Sequence, residues 1–244
     1  KKVEYGEIYV EWHYEGDKFV LNCRVPEGVE VTCQTDLFLR FSDCVCVGVT
    51  GTKGKTTTST LIYEMVKQSG KNVFLMGNMG LPVLDSIETI NKGIAVIEMS
   101  SHQLEFTKAS PHVAVLVNVY QEHLDHYKTG YEGYVNAKLN IARHQKADDV
   151  LVYNPEQDLT GVVDWDSVIK GIAKPVTFTA AAEDAFVNEL WQSTEHLKGE
   201  HNRQDIAYAL AVARTFGVGD DAVRQAIKGF GGIEHRMEFV GVYD

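Results

Sequence analysis

One stretch limits what this chain can fold into: Val45-Cys46-Val47-Gly48-Val49-Thr50 runs straight into Gly51-Thr52-Lys53-Gly54-Lys55-Thr56-Thr57-Thr58. An apolar, β-branched run halts at Gly51, a short loop of small residues follows, and from Ser59 to Gln68 apolar positions fall at helical spacing. Strand, glycine loop and helix start in that order make a cradle for phosphate. The loop can turn backbone N–H groups onto oxygens, and the helix N-terminus adds its dipole. Lys55 then supplies a point charge for β- and γ-phosphates, and Thr56 a hydroxyl for a magnesium ion. The spacing departs from the general nucleotide-loop pattern, because counting from Gly48 gives one residue too many and counting from Val49 puts Val where Gly belongs. A plain glycine turn is the competing reading, and a lysine and hydroxyls at the helix mouth weigh against it.

The rest of the chain is consistent with an α/β domain around this loop. Apolar strand candidates recur at 45–49, 73–76, 94–97, 113–117 and 150–152, with helical stretches between most of them. This pattern predicts a mostly parallel sheet covered by helices on both faces. The chain has 244 residues, enough to bury a core without disulfides. Its net charge of -11 argues against a broad nucleic-acid-binding face while allowing a local anion site. Cys44 and Cys46 alternate with valines in a strand, which suits buried thiols; no run is long enough for a membrane span, and a cytoplasmic protein is expected. Residues 1–43 read differently, with a hairpin expected around Glu15-Gly16-Asp17 and a brief helix capped by Thr35.

Ligands of such sheets gather beyond the carboxyl ends of the strands. After the second strand, Gly77-Asn78-Met79-Gly80 is either a ligand-approaching loop or a turn before a helix started at Pro82. The third strand ends in Glu98, either a magnesium ligand or a cap for the next helix. The fourth leads to Glu122-His123-Leu124-Asp125-His126, which allows a zinc-like site, a solvated helix start or support for magnesium; the phosphate loop favours magnesium. His102 reads as structural. In the helix over 131–144, spacing alone makes Lys138 a solvent-facing lysine. Further on, a short helix is expected over 164–169, a strand over 176–178, a helix ending near Phe216 and another capped by Asp220, followed by a loop with an isolated Arg236.

Taken together, GTKGKTTT at 51–58, GNMGLP at 77–82, EMSSHQLE at 98–105, NVYQEHLDHY at 118–127, YVNAKLNIA at 134–142, HNRQD at 201–205 and FGGIEHRME at 230–238 resemble the Mur ligases of bacterial cell-wall synthesis. The resemblance implies a P-loop-containing central ATPase domain over 44–232, a remnant of a uridine-binding domain over 1–43, and the start of a linker over 233–244. It also implies ATP-dependent ligation of D-glutamate to UDP-N-acetylmuramoyl-L-alanine through an acyl phosphate, by a monomer. Another amide ligase, such as a folate-polyglutamylating enzyme, and a non-catalytic nucleotide-binding module are the alternatives.

By the same resemblance, Gly51, Thr52, Lys53, Gly54, Lys55, Thr56, Thr57, Asn202 and Arg236 would hold ATP. Thr56, Glu98, His123 and Lys138 would hold two magnesium ions, with Lys138 carbamylated, and Lys55, Glu98, His123 and Lys138 would be catalytic. Asn78, Gly80, Ser100 and His123 would meet the muramoyl substrate. The chain departs from the family pattern at Lys53 and Asp205, where the family usually has Asn, and at Tyr120-Gln121-Glu122. Lys53 is thus expected to pair with phosphate or with Glu122. The family's amino-acid-binding domain is absent from this sequence, so weak or no turnover is expected of the chain itself.

Overall fold

A computed structural model of the chain describes residues 2–3, 6–77, 83–84, 87, 90, 92–155, 162, 174–177 and 184–233. The chain divides into two compact units, 1–33 and 34–244. In the first, β1 (Lys2–Val3) pairs antiparallel with β2 (Gly6–Glu7), and β3 (Tyr9–Glu15) with β4 (Lys18–Arg24) across the expected turn at Gly16-Asp17. Because strand side chains alternate, the register gives the hairpin two unlike faces. Val10↔Cys23, Trp12↔Leu21 and Tyr14↔Phe19 share one face; Glu11↔Asn22 lies on the other. Trp12, Tyr14, Phe19 and Leu21 are all exposed, with Trp12 stacked on Phe19.

The second unit opens with α1 (Gln34–Phe41) and then lays down a six-stranded sheet. Its strands are β5 (Val45–Thr50), β6 (Val73–Gly77), β7 (Ile94–Glu98), β8 (Val113–Leu116), β9 (Val150–Tyr153) and β10 (Lys174–Thr177). Their order is β10-β9-β8-β5-β7-β6, and every pairing is parallel. The helices are α2 (Lys55–Gln68), α3 (Ser101–Leu104), α4 (Tyr131–Arg143), α5 (Asp184–Gln192), α6 (Glu200–Thr215) and α7 (Asp220–Gly229).

The central strands are apolar on both sides because both sides are covered. Val47, Val49, Val96 and Val115 pack with Leu61, Met65, Leu190, Ile206, Leu210 and Ile227, so α2, α5, α6 and α7 share one face. Cys46, Ala95, Ile97, Ala114 and Leu116 pack with Phe38, Leu104, Val135 and Leu139, so α1, α3 and α4 share the other. Cys44 and Cys46 are buried free thiols, and burial lifts Cys46 to about 11. From β5 the chain winds to β7 and β6 on one side and to β8, β9 and β10 on the other. The β5–β8 border is therefore the place where a crevice opens at the carboxyl ends of the strands.

Several boundaries differ from expectation. Helix α1 belongs to the larger unit, where buried Asp36 accepts hydrogen bonds from the Lys108 and Ala109 N–H groups; Thr35 lies inside the helix, not before it. Helix α6 starts at Glu200, so the HNRQD stretch is helical. Gly219, not Asp220, caps α7. The sixth strand occupies Lys174–Thr177 instead of 176–178, and α5 was not anticipated. The helices expected after Pro82 and over 164–169 lie outside the described residues, as does 234–244. Among the described residues no helix is long and apolar enough to cross a membrane.

Candidate nucleotide site

The loop after β5 is held in shape by the loop after β8. The Asn118 side chain accepts from the Thr52 and Lys53 N–H groups at 3.1 and 2.9 Å and donates to the Lys53 carbonyl at 3.0 Å. The Thr52 hydroxyl lies 2.9 Å from the Tyr134 hydroxyl and accepts from the Tyr120 N–H at 2.9 Å. These bonds fix the loop before any ligand arrives, which lowers the ordering cost of binding. At its far end Gly54 has φ of +82°, and a Cβ there would lie 2.3 Å from Asp205 Oδ1. Only glycine meets both conditions.

Two lysines converge on one backbone oxygen. Lys55 Nζ donates to the Gly51 carbonyl at 3.0 Å and to the Thr52 carbonyl at 3.2 Å, and Lys138 Nζ donates to the same Gly51 oxygen at 2.8 Å. Lys138 is only 2% exposed, which overturns the solvent-facing reading. Burial, then the charge of Lys55, lowers its pKa to about 7, and its ammonium lies over the Tyr134 ring. A buried amine poised near neutrality is a nucleophile that water-facing lysines are not.

Glu98 ends β7, 1% exposed, in register with Val49 and Gly77 of the neighbouring strands. Gly77 takes φ of +98°, and a Cβ there would strike the Glu98 carbonyl at 2.5 Å. Glu98 does not cap α3: Ser100 does, in a capping box with Gln103. That cap is also where the structure places Ser100, whose expected substrate role is a separate matter.

His123 adopts left-handed backbone, φ 54°, beyond β8, in a turn segment and not a helix start. Its ring lies 5.3 Å from that of His102 and 6.1 Å from that of Tyr134, while His126 packs at 4.3 Å on His102. Glu122 pairs with Lys53 at 3.2 Å, the second of the two partners expected for that lysine. Among the described residues no three His, Cys, Asp or Glu side chains are gathered closely enough to hold a metal by themselves. A hard cation shared with phosphate oxygens needs fewer protein ligands, and the Thr56 hydroxyl and Glu98 carboxylate are oxygen donors of the kind magnesium takes.

Beside the loop opens a cavity of about 660 Å³, lined by Lys53, Gly54, Thr57 and, from the α6 side, His196, His201 and Asn202. Asp205 forms part of its wall, and Asn202 donates to the Lys198 carbonyl. The volume suits a nucleoside. Asn78, Gly80 and Arg236 lie outside the described residues. Asn118, Tyr134 and Asp205 were not singled out as working residues by sequence reasoning. Asn118 and Tyr134 sit inside motifs quoted above, but their roles depend on which loop they reach across to.

Residues 49–213 match the model of the Mur ligase middle domain. The chain belongs to the Mur ligase family. It is 34% identical to the UDP-N-acetylmuramoylalanine--D-glutamate ligase of Chlorobaculum parvum, an alignment covering 88% of the chain and 53% of that protein. The like-named ligase of Acetivibrio thermocellus is 37% identical, with 88% and 48% covered. The chain thus spans about half the length of the curated relatives it matches. Among solved structures, MurF from Acinetobacter baumannii superposes with a TM-score of 0.61 at 19% identity, covering 84% of this chain and 50% of that one. E. coli FolC in complex with DHPP and ADP superposes at 0.60 with 15% identity, covering 86% and 64%. These likenesses establish the fold, an α/β Mur ligase central domain. Residues 2–35 match a different model, the bacterial alpha-L-rhamnosidase C-terminal domain, which coincides closely with the amino-terminal unit 1–33.

Proposed function

We propose that this domain is the ATP-using part of a ligase that joins D-glutamate to UDP-N-acetylmuramoyl-L-alanine in peptidoglycan precursor synthesis. The observation that supports it most is the meeting of Lys55 and buried Lys138 on the Gly51 carbonyl of a preshaped phosphate loop. The names of the relatives point to the substrates.

A free carboxylate resists attack by an amine because it is already anionic and has no good leaving group. Transfer of the ATP γ-phosphoryl to the muramoyl carboxylate gives an acyl phosphate and ADP; the D-glutamate amine then adds to the carbonyl carbon and phosphate leaves. In this reading the loop N–H groups and Lys55 hold the phosphates and offset charge on the phosphoryl oxygens. Thr56, Glu98 and His123 would hold magnesium, which when bound supplies further charge neutralisation. Lys138 would join them as a carbamate, formed when its neutral amine adds to CO₂ with loss of a proton. Asn202 and Arg236 fall to the nucleotide, and Asn78, Gly80 and Ser100 to the muramoyl substrate.

The test is ADP formation by the chain with ATP and magnesium, across a panel of carboxylate substrates, with hydroxylamine present to trap an acyl phosphate. Hydroxamate and ADP that depend on UDP-N-acetylmuramoyl-L-alanine are the expected result. Equal response to a folate substrate would favour a broader amide ligase. ATP binding with no carboxylate-dependent ADP would favour a non-catalytic module.

A further inference from the structure

The β3–β4 hairpin is satisfied on one face and open on the other. On the polar face Glu11 accepts from the Tyr9 hydroxyl at 2.8 Å and from the Asn22 amide at 3.2 Å, the His13 ring lies 3.0 Å from Glu15, and the Arg24 guanidinium sits over the Tyr9 ring. On the opposite face Val10, Trp12, Tyr14, Phe19 and Leu21 form one apolar surface, each residue more than half exposed. The Phe19 ring ties it together, 5.9 Å from that of Trp12 and 5.6 Å from that of Tyr14. Apart from the Tyr14 hydroxyl and the Cys23 thiol, this face offers a ligand no hydrogen-bonding side chain. A two-stranded hairpin is marginal in water until such a face is packed.

Its size says what packs on it. An aromatic side chain can bury about 150–250 Å², so at these exposures the five residues leave roughly 500 Å² of apolar surface in water, near the upper end for a single patch on a monomer. Two such faces brought together remove about 1,000 Å², the least that a specific interface needs. Among the described residues nothing else on the chain matches the patch: the exposed large apolar side chains outside the hairpin, Val31, Phe41, Val45, Phe106, Tyr120 and Leu124, come from α1, β5 and loops and line up on no one strand or helix. An uncharged, flat face is complementary to itself.

We propose that this face is where two copies of the chain meet, the two hairpins stacking as a small β-sandwich about 10 Å thick, with Trp12, Phe19 and Leu21 of each copy against the same face of the other around a twofold axis. The pairing is independent of the nucleotide reading. A lipid surface is the other apolar host, and anionic headgroups repel a chain of net charge -11. The same charge sets the salt dependence: with no ion pairs across the interface, salt screens the repulsion between copies and tightens the dimer.

Sedimentation equilibrium of the full chain over a wide range of concentration tests this. Wild type is expected to pass from the 27.2 kDa of one copy to twice that mass, with a Kd on the order of 1–10 μM, weak as interfaces at the lower size limit are. Trp12→Lys and Leu21→Lys, each placing a charge on the apolar face, should raise the Kd roughly hundredfold. Glu11→Gln, on the polar face, should change it less than about twofold, and raising salt from about 0.05 to 0.5 M should lower the wild-type value several-fold. A wild type that stays monomeric at the highest concentration overturns the inference, whether its hairpin face is then found on vesicles, against its own chain or in water. So does a dimer that neither lysine substitution weakens, or one that salt dissociates, since either puts the contact elsewhere. If the lysine variants unravel the hairpin, alkylation of Cys23 in wild type decides: this exposed thiol lies opposite Val10 on the apolar face, so its rate should fall as the concentration rises through the Kd, and a constant rate overturns the inference.

Discussion

Lys138 and Asp205 sit at opposite ends of one loop, the first bonded to Gly51 and the second packed on Gly54. Both are almost wholly buried, and burial is the leading cause of both shifts, lowering the lysine to about 7 and raising the aspartate to about 7. Desolvation disfavours whichever form is charged, so the same packing pushes the amine on one side and the acid on the other towards their neutral forms. The comparison teaches that this loop is bounded by groups that change charge near neutrality, where a surface lysine and aspartate would both stay ionised.

Their effects on stability have opposite signs. Lys138 falls from 10.5 to about 7 on folding, so across that window the unfolded chain holds the extra proton and stability rises with pH. Asp205 rises from 3.8 to about 7, so across that window the folded chain holds the extra proton and stability falls with pH. Both penalties are fully developed near pH 7. In urea titrations without bicarbonate, Lys138→Met should flatten the alkaline limb and Asp205→Asn the acid limb, each by roughly 1 kcal/mol per pH unit. An alkaline limb unchanged by Lys138→Met would break the pairing.

Gly54→Ala tests whether the Asp205 side is as tightly built as the Lys138 side. It combines left-handed backbone with a clash against the carboxyl, and a loss on the order of 2–4 kcal/mol in unfolding free energy is expected. A midpoint equal to wild type would mean that the wall can yield. The smallest effect belongs to the exposed Lys53–Glu122 pair, which lies outside the buried frame. Lys53→Ala should cost less than about 0.5 kcal/mol, and the difference should vanish in high salt. A larger, salt-insensitive loss would show that the pair shares in holding the loop.

Much of the sheet was legible because a strand covered on both faces must be free of exposed polar side chains, and 45–49, 94–97 and 113–116 carry none. The phosphate loop was legible because its function lies in local backbone shape. Lys138 was not readable from its own neighbourhood: a lysine in mid-helix faces water by default, and here its ammonium is taken up by the Gly51 carbonyl, beyond the carboxyl end of β5, and by the Tyr134 ring. The family resemblance, not spacing, flagged it. Asn118 and Asp205 were hidden for the same reason, since each acts on a loop more than sixty residues away in sequence. Helix α5 lies in a stretch whose polar residues broke the expected pattern; two of them, Asp184 and Asn188, are bound by Arg203 of α6.

The order of strands has a consequence for how the protein is born. β5 leaves the ribosome before either of its sheet neighbours, β7 and β8, has been translated, so the loop that cradles phosphate cannot be locked until the polypeptide has grown past Asn118. Competence to hold a nucleotide is therefore acquired late, in the course of synthesis, although the segment responsible is among the earliest of this unit to emerge.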